Sequence, residues 1–129
     1  MTAEPVEIER LTEDAAGESH FDSFTVERPL MEFAPPALPF FASSVQPARG
    51  FVHVRIPKGW VGAAHPAPQR QICFCLGGAL KVTASDGTVR TIGPGDAWQM
   101  MDVTGKGHAA EVVSDVPFDA VMVLLPESS

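Results

Sequence analysis

From Gly50 onward the chain alternates short apolar-rich runs with turn residues. Phe51-Val52-His53-Val54-Arg55-Ile56 is the first run, closed by Pro57-Lys58-Gly59. Gln71-Ile72-Cys73-Phe74-Cys75-Leu76 ends at Gly77-Gly78, and Leu80-Lys81-Val82-Thr83-Ala84 leads into Asp86-Gly87. An Asp-Gly pair between two such runs signals a hairpin, because its tight turn needs residues that accept positive φ. Thr88 to Ile92, Ala97 to Met101, His108 to Val113 and Phe118 to Leu125 complete the series, punctuated by Gly93-Pro94-Gly95-Asp96, Pro117 and Pro126. Short strands separated by regular turns predict an all-β sandwich or barrel. No segment sustains the apolar period of a helix.

The first 49 residues read differently. Residues 1–20 are polar and acidic and are expected to form a weakly ordered arm. Phe21, Phe24 and Val26 suggest one short strand. Pro29, Pro35, Pro36, Pro39 and Pro47 follow. Each proline removes a backbone donor and fixes φ, so this stretch predicts neither helix nor central strand. It is expected to wrap the domain as an extended segment, as an edge strand or in a subunit contact, with Phe40 and Phe41 anchoring it on the core. The expected division is therefore an arm and Pro-rich wrapping segment over 1–49 and a β-barrel over 50–129.

Composition narrows the function. The 129 residues are 45% hydrophobic and 19% charged, the balance of one folded domain rather than a disordered chain. Nine Lys and Arg against sixteen Asp and Glu give a net charge of −7. Nucleic acid is thereby excluded as a partner, since phosphate contacts need clustered cations. No apolar run is long enough for a membrane span, and the acidic start does not resemble a signal peptide, so a cytoplasmic location is expected. Cys73 and Cys75 fall on one face of an extended strand, where a disulfide between them would be strained. They read as reduced, buried thiols.

Two spaced patterns carry candidate chemistry. Gly59, five residues, His65, one residue, Ala67, three residues, Gln71, six residues and Gly78 form the first. Gly105-Lys106-Gly107-His108, with Val103 before it and Val112 after it, forms the second. Their spacing resembles the two motifs of the cupin superfamily, in which the first pattern carries His, His and Glu and the second a further His. The resemblance spans about residues 50–125 and is closest to small single-domain bacterial cupins. It implies a double-stranded β-helix, a jelly-roll barrel, here with an extended Pro-rich N-terminal arm. It also implies a homodimer, with residues 29–47 as the candidate contact.

The departures bear on the chemistry. Metal-dependent cupins bind with three His and one Glu; here Ala67 replaces one His and Gln71 replaces the Glu. His65, Gln71 and His108 remain as candidate ligands of a weakly coordinated divalent metal (Zn, Fe, Ni, Mn or Cu). Without a metal, the same two histidines line the mouth of the pocket. His65, His108 and Asp102 are the candidate catalytic residues, with Asp102 placed to orient His108 as a general acid or base, or else to cap a strand end. His53, Gln71, Cys73, Trp98 and Met100 are candidate ligand-binding residues, and Cys75 shares the face of Cys73. His53 and Arg55 share a face that is either the lumen or the solvent side; solvent is the less costly place for an unpaired Arg. The expected function is a small-molecule enzyme of isomerase, lyase, dehydratase or dioxygenase-like chemistry. The alternative is a ligand-binding or sensor module without metal.

Overall fold

The computed structural model describes residues 2–127. Met1, Ser128 and Ser129, which the expected arm and barrel included, lie outside them. In chain order the strands are β1 (Thr2–Glu13), β2 (Ser19–Met31), β3 (Phe40–Phe41), β4 (Gly50–Ile56), β5 (Val61–His65) and β6 (Gln71–Gly77). There follow β7 (Leu80–Ala84), β8 (Val89–Ile92), β9 (Ala97–Met100), β10 (His108–Val112) and β11 (Phe118–Leu124). Among the described residues no helix is long and apolar enough to cross a membrane.

Strands β4 to β11 build two facing sheets. One sets β9, β6, β11 and β4 side by side; the other sets β5, β10, β7 and β8. All pairings within these eight strands are antiparallel. The chain crosses from one sheet to the other at every connection except the β7–β8 hairpin. That order is the jelly roll, and it arises because each apolar strand face must be covered by a second layer. The β7–β8 hairpin turns at Asp86-Gly87, where Gly87 has φ +90 and Asp86 Oδ1 accepts from the Thr88 amide at 2.9 Å.

The expected arm is corrected here. Residues 2–13 are β1, a strand of the larger sheet that lies parallel to β9 and antiparallel to β2. Leu11 explains why: it pairs with Met100 on one side and Phe21 on the other, and it is fully buried. Charged neighbours do not prevent pairing in a strand that alternates, because they point away from the buried positions. A further strand, β5, lies in a stretch that the sequence left as loop. The Pro-rich segment contributes the edge strand β3, which pairs with Leu30 and Met31. Phe40 and Phe41 do not anchor it on the core, being 45% and 40% exposed. Phe40 packs instead on Phe33, with ring centroids 5.4 Å apart.

The core lies between the sheets. Leu11, Cys73, Trp98, Met100, Phe118 and Ala120 come from the larger sheet; Leu80, Val82, Ala84, Ile92 and Val112 face them from the smaller. Trp98 and Phe118 are its largest fully buried side chains. Burying a side chain such as that of Phe118 stabilises the fold by roughly 1.5–3 kcal/mol. Cys73 and Cys75 are both free and both face this layer, as alternation along β6 requires.

Candidate functional site

His65 ends β5 and His108 begins β10, and the two residues are paired across the small sheet. Their rings lie 5.4 Å apart between centroids. The approach depends on Gly107, at φ +73, where an added Cβ would lie only 2.0 Å from the His65 carbonyl oxygen. A side chain there would push the two histidines apart. The Gly-Lys-Gly-His text is thus a steric requirement of the site as well as a turn.

Asp102 follows β9 and is fully buried, and its Oδ2 lies 2.7 Å from His108 Nδ1. An ionised carboxylate only accepts, so Nδ1 carries the proton and donates it. His65 is exposed, and its Nδ1 donates to the Ala63 carbonyl at 2.9 Å. Both imidazoles are therefore held by Nδ1. In the neutral ring this leaves Nε2 as the acceptor, the form suited to taking a proton. Trp98 meets His108 edge to face at 5.4 Å and 88°. Asp102 Oδ1 and Trp98 Nε1 are buried and make no hydrogen bond among the described residues. Such atoms each cost about 1–3 kcal/mol when left unpaired, so they mark the part of the core with unused polar capacity.

Gln71, Cys73, Trp98 and Met100 do converge, because β6 and β9 are paired with Gln71 opposite Met100 and Cys73 opposite Trp98. They fill the space between the sheets. Gln71 Nε2 donates to the Met100 sulfur at 3.4 Å. Burial pushes the Cys73 thiol up to about 12, so it is a neutral packing group and not a nucleophile. Ala67, at the position where the motif carries a second His, is 2% exposed and belongs to the hydrophobic core.

These residues do not fit a resident metal. Two imidazoles and one amide oxygen supply no anionic ligand, the Asp102 carboxylate is engaged on His108, and the amide is drawn to Met100. Among the described residues no three His, Cys, Asp or Glu converge to hold an ion. Catalytic metal sites usually have three strong protein ligands.

His53 does not join the site. It lies on the outer face of β4, exposed, beside Phe51 and the Arg55–Asp119 ion pair. Strand pairing settles this: Arg55 is opposite Asp119 and His53 opposite Val121, while Val54 faces the core opposite Ala120. Arg55 takes the solvent side, where its charge is paired rather than buried.

The loop before His108 is braced by residues that Sequence analysis did not single out. Glu13, at the end of β1, accepts from the Thr104 and Gly105 amides at 3.1 and 2.8 Å. Ser19 Oγ donates to the Gly107 carbonyl at 2.7 Å, and the Lys106 amide donates to the Gly17 carbonyl at 2.8 Å. The available signal was the Val6-Glu7-Ile8-Glu9 alternation, which is strand-like.

The strand order makes this fold a two-sheet jelly roll. No protein-family model and no curated protein matches the sequence. Among solved structures, the chain is similar to an RmlC-like cupin from Shewanella frigidimarina, at 16% identity over 91% of this chain and 85% of that one, with a TM-score of 0.43. It is similar to the cupin domain of Cnp3 from Schizosaccharomyces pombe, at 10% identity over 96% and 89%, with a TM-score of 0.46. It is also similar to KdgF from Halomonas sp., at 19% identity over 78% and 82%, with a TM-score of 0.40.

Proposed function

We propose that this chain is a small-molecule enzyme that moves a proton at the His65–His108 end of the sandwich without a resident metal. The observation that carries the reading is the buried Asp102–His108 pair at 2.7 Å. A carboxylate on Nδ1 fixes the tautomer and stabilises the imidazolium that forms when Nε2 takes a proton. His108 is the acid–base group, Asp102 its positioning residue, and His65 the exposed group that meets the substrate first. Isomerase, lyase and dehydratase steps on a compact, polar or carbonyl-bearing molecule suit this set. The free thiols suit a reducing, cytoplasmic setting.

The second reading is a ligand-binding or sensor module. The packing of Trp98, Met100 and Cys73 between the sheets favours it, since that packing limits how far a molecule reaches toward His108.

Metal analysis of the purified protein beside His65→Ala and His108→Ala tests the first point. Substoichiometric metal, equal in all three proteins, is expected; stoichiometric metal lost in both variants overturns the metal-free reading. A panel of small carbonyl compounds in deuterated water, followed by NMR, tests the second. Exchange or conversion catalysed by the native protein and lost in His108→Ala is expected. A compound that raises the melting temperature of the native protein yet never turns over leaves the binding reading in its place.

A further inference from the structure

The outer face of the larger sheet is apolar where a water-facing surface is ordinarily polar. Strand alternation turns Val6 and Ile8 of β1, Phe24 and Val26 of β2, and Ile72 and Phe74 of β6 onto this face. They line a groove of about 700 Å³, within the roughly 300–1,000 Å³ of small-molecule sites. Residues 43 and 46–48 of the Pro-rich segment form its rim. That segment is tied down at both ends. The Ala42 amide donates to the Pro29 carbonyl at 3.0 Å, and the Arg49 amide donates to the Leu124 carbonyl at 2.8 Å. The groove therefore has the sheet as its floor and an anchored strap along one side.

The chain carries a net charge of −7, yet the groove reverses that sign. Arg28 and Arg70 line it, and no Asp or Glu does. Neither arginine has a carboxylate partner among the described residues. Arg28 Nη2 donates to the Glu4 carbonyl at 2.6 Å, which holds the guanidinium at the groove. Its Nε makes no hydrogen bond among the described residues, so part of its donor set is unused. A cation held beside an apolar floor fits an anion that carries an apolar tail. The span of the floor says what kind of tail. From β2 through β1 and β9 to β6 it crosses three strand spacings, about 14 Å. Gln99 of β9 engages its amide on the Met101 sulfur at 3.1 Å. An extended acyl chain covers that distance, and a compact acid does not.

We infer that this groove binds a free medium-chain fatty acid, with its carboxylate on Arg28 and its chain laid across β2, β1 and β6. The site stands apart from the proton chemistry at His65 and His108, because Ile72 and Phe74 face away from Gln71 and Cys73 on the same strand.

Isothermal titration of the native protein with laurate below its micellar concentration tests this, beside decanoate, dodecyl maltoside and the variant Arg28→Gln. Laurate is expected to bind at one molecule per chain. Decanoate is expected to bind more weakly, by up to about fourfold for each methylene removed. Exchanging the carboxylate for the neutral maltoside head, or Arg28 for Gln, is expected to weaken binding about tenfold or more, the effect of losing a hydrogen bond to a charged group. Laurate should also shift the amide NMR signals of Ile8, Ile72 and Phe74 while leaving those of His65 and His108 in place. The head-group comparison uses only native protein, so it decides the matter even if Arg28→Gln unfolds. Absence of laurate binding, binding indifferent to head group or chain length, undiminished binding by folded Arg28→Gln, or shifts centred on His65 and His108 overturns the inference. A native protein that sediments as a stable dimer and takes up no laurate gives the face to a second copy instead.

Discussion

Strand β6 has two apolar faces with opposite fates. Gln71, Cys73 and Cys75 point between the sheets and are 8%, 0% and 4% exposed. Ile72, Phe74 and Leu76 point outward and are 9%, 40% and 63% exposed. The outward set is the more hydrophobic by residue type, yet it is the less buried. Alternation along a strand therefore decides which residues share a face, while the neighbouring layer decides which face becomes core. The polar work of the molecule is placed on the packed side, where Asp102 and His108 face each other out of water. The open apolar groove is on the other.

Substitutions on the two faces separate them. Trp98→Ala has the largest expected effect, a loss of about 3–5 kcal/mol in urea denaturation, because it empties a filled site between the sheets. Gln99→Ala, on the opposite face of the same strand, is expected within about 0.5 kcal/mol of the native protein. Equal losses at 98 and 99 would break the distinction between the faces.

Asp102→Ala comes next. It removes a buried charge-assisted hydrogen bond, for an expected loss of about 1.5–3 kcal/mol by the same measurement. Nitrogen-15 NMR of the imidazole should also show His108 losing its fixed Nδ1–H tautomer while His65, held by the Ala63 carbonyl, keeps its own. A His108 tautomer that does not change would remove Asp102 from its positioning role.

Gly107→Ala tests the close approach behind the site. Positive φ and the nearby His65 carbonyl both oppose a side chain, with an expected cost of about 1–3 kcal/mol. His65 and His108 ring shifts should move together in the same variant. Stability and ring shifts left as in the native protein would show that the loop has room to spare.

The smallest effect is expected at the edge of the molecule. His20 bridges Asp14 at 2.8 Å and Asp86 at 2.9 Å, tying the β1–β2 turn to the β7–β8 turn. The hydrogen bond to Asp14 and then that to Asp86 raise its pKa above the ordinary 6.5. A raised folded-state pKa contributes stability that is fully present below about pH 6.5 and is lost as pH climbs through the raised value. The melting temperature of His20→Ala should therefore fall short of the native value below that pH, with the gap closing at higher pH. A gap that widens with rising pH would reverse the assignment. The latch is exposed to solvent, so salt should weaken it.

How far the sequence carried depended on whether local text was enough. The later strands were legible because Gly, Pro and Asp-Gly mark where a chain must turn, and β7 is found at the predicted residues. Period set Gln71 with Cys73 on one strand and Trp98 with Met100 on another, while their meeting between the sheets needed the β6–β9 pairing. The face of His53 was open between lumen and solvent, and only the pairing of β4 with β11 turned it outward. Strand β1 was missed because its stability is borrowed: it is held by β9 and β2, distant or yet to come in sequence, and four of its 12 residues are Glu.

The sequence by itself determined where the strands from Gly50 onward run, β5 excepted, together with the turns between them, the pairing of thiols on one face, and the spacing that sets His65 and His108 in corresponding places. These depend on backbone preferences and on alternation, which act over a few residues. Tertiary structure decided the rest. It inserted β1 beside β9, seated Asp102 against His108, braced the His108 loop on Glu13 and Ser19, and left Phe74 and Leu76 of the outer sheet face exposed. Each of those outcomes needs residues far apart in sequence to share one place, and the free energy that brings them together comes from burial between layers, which no local pattern records.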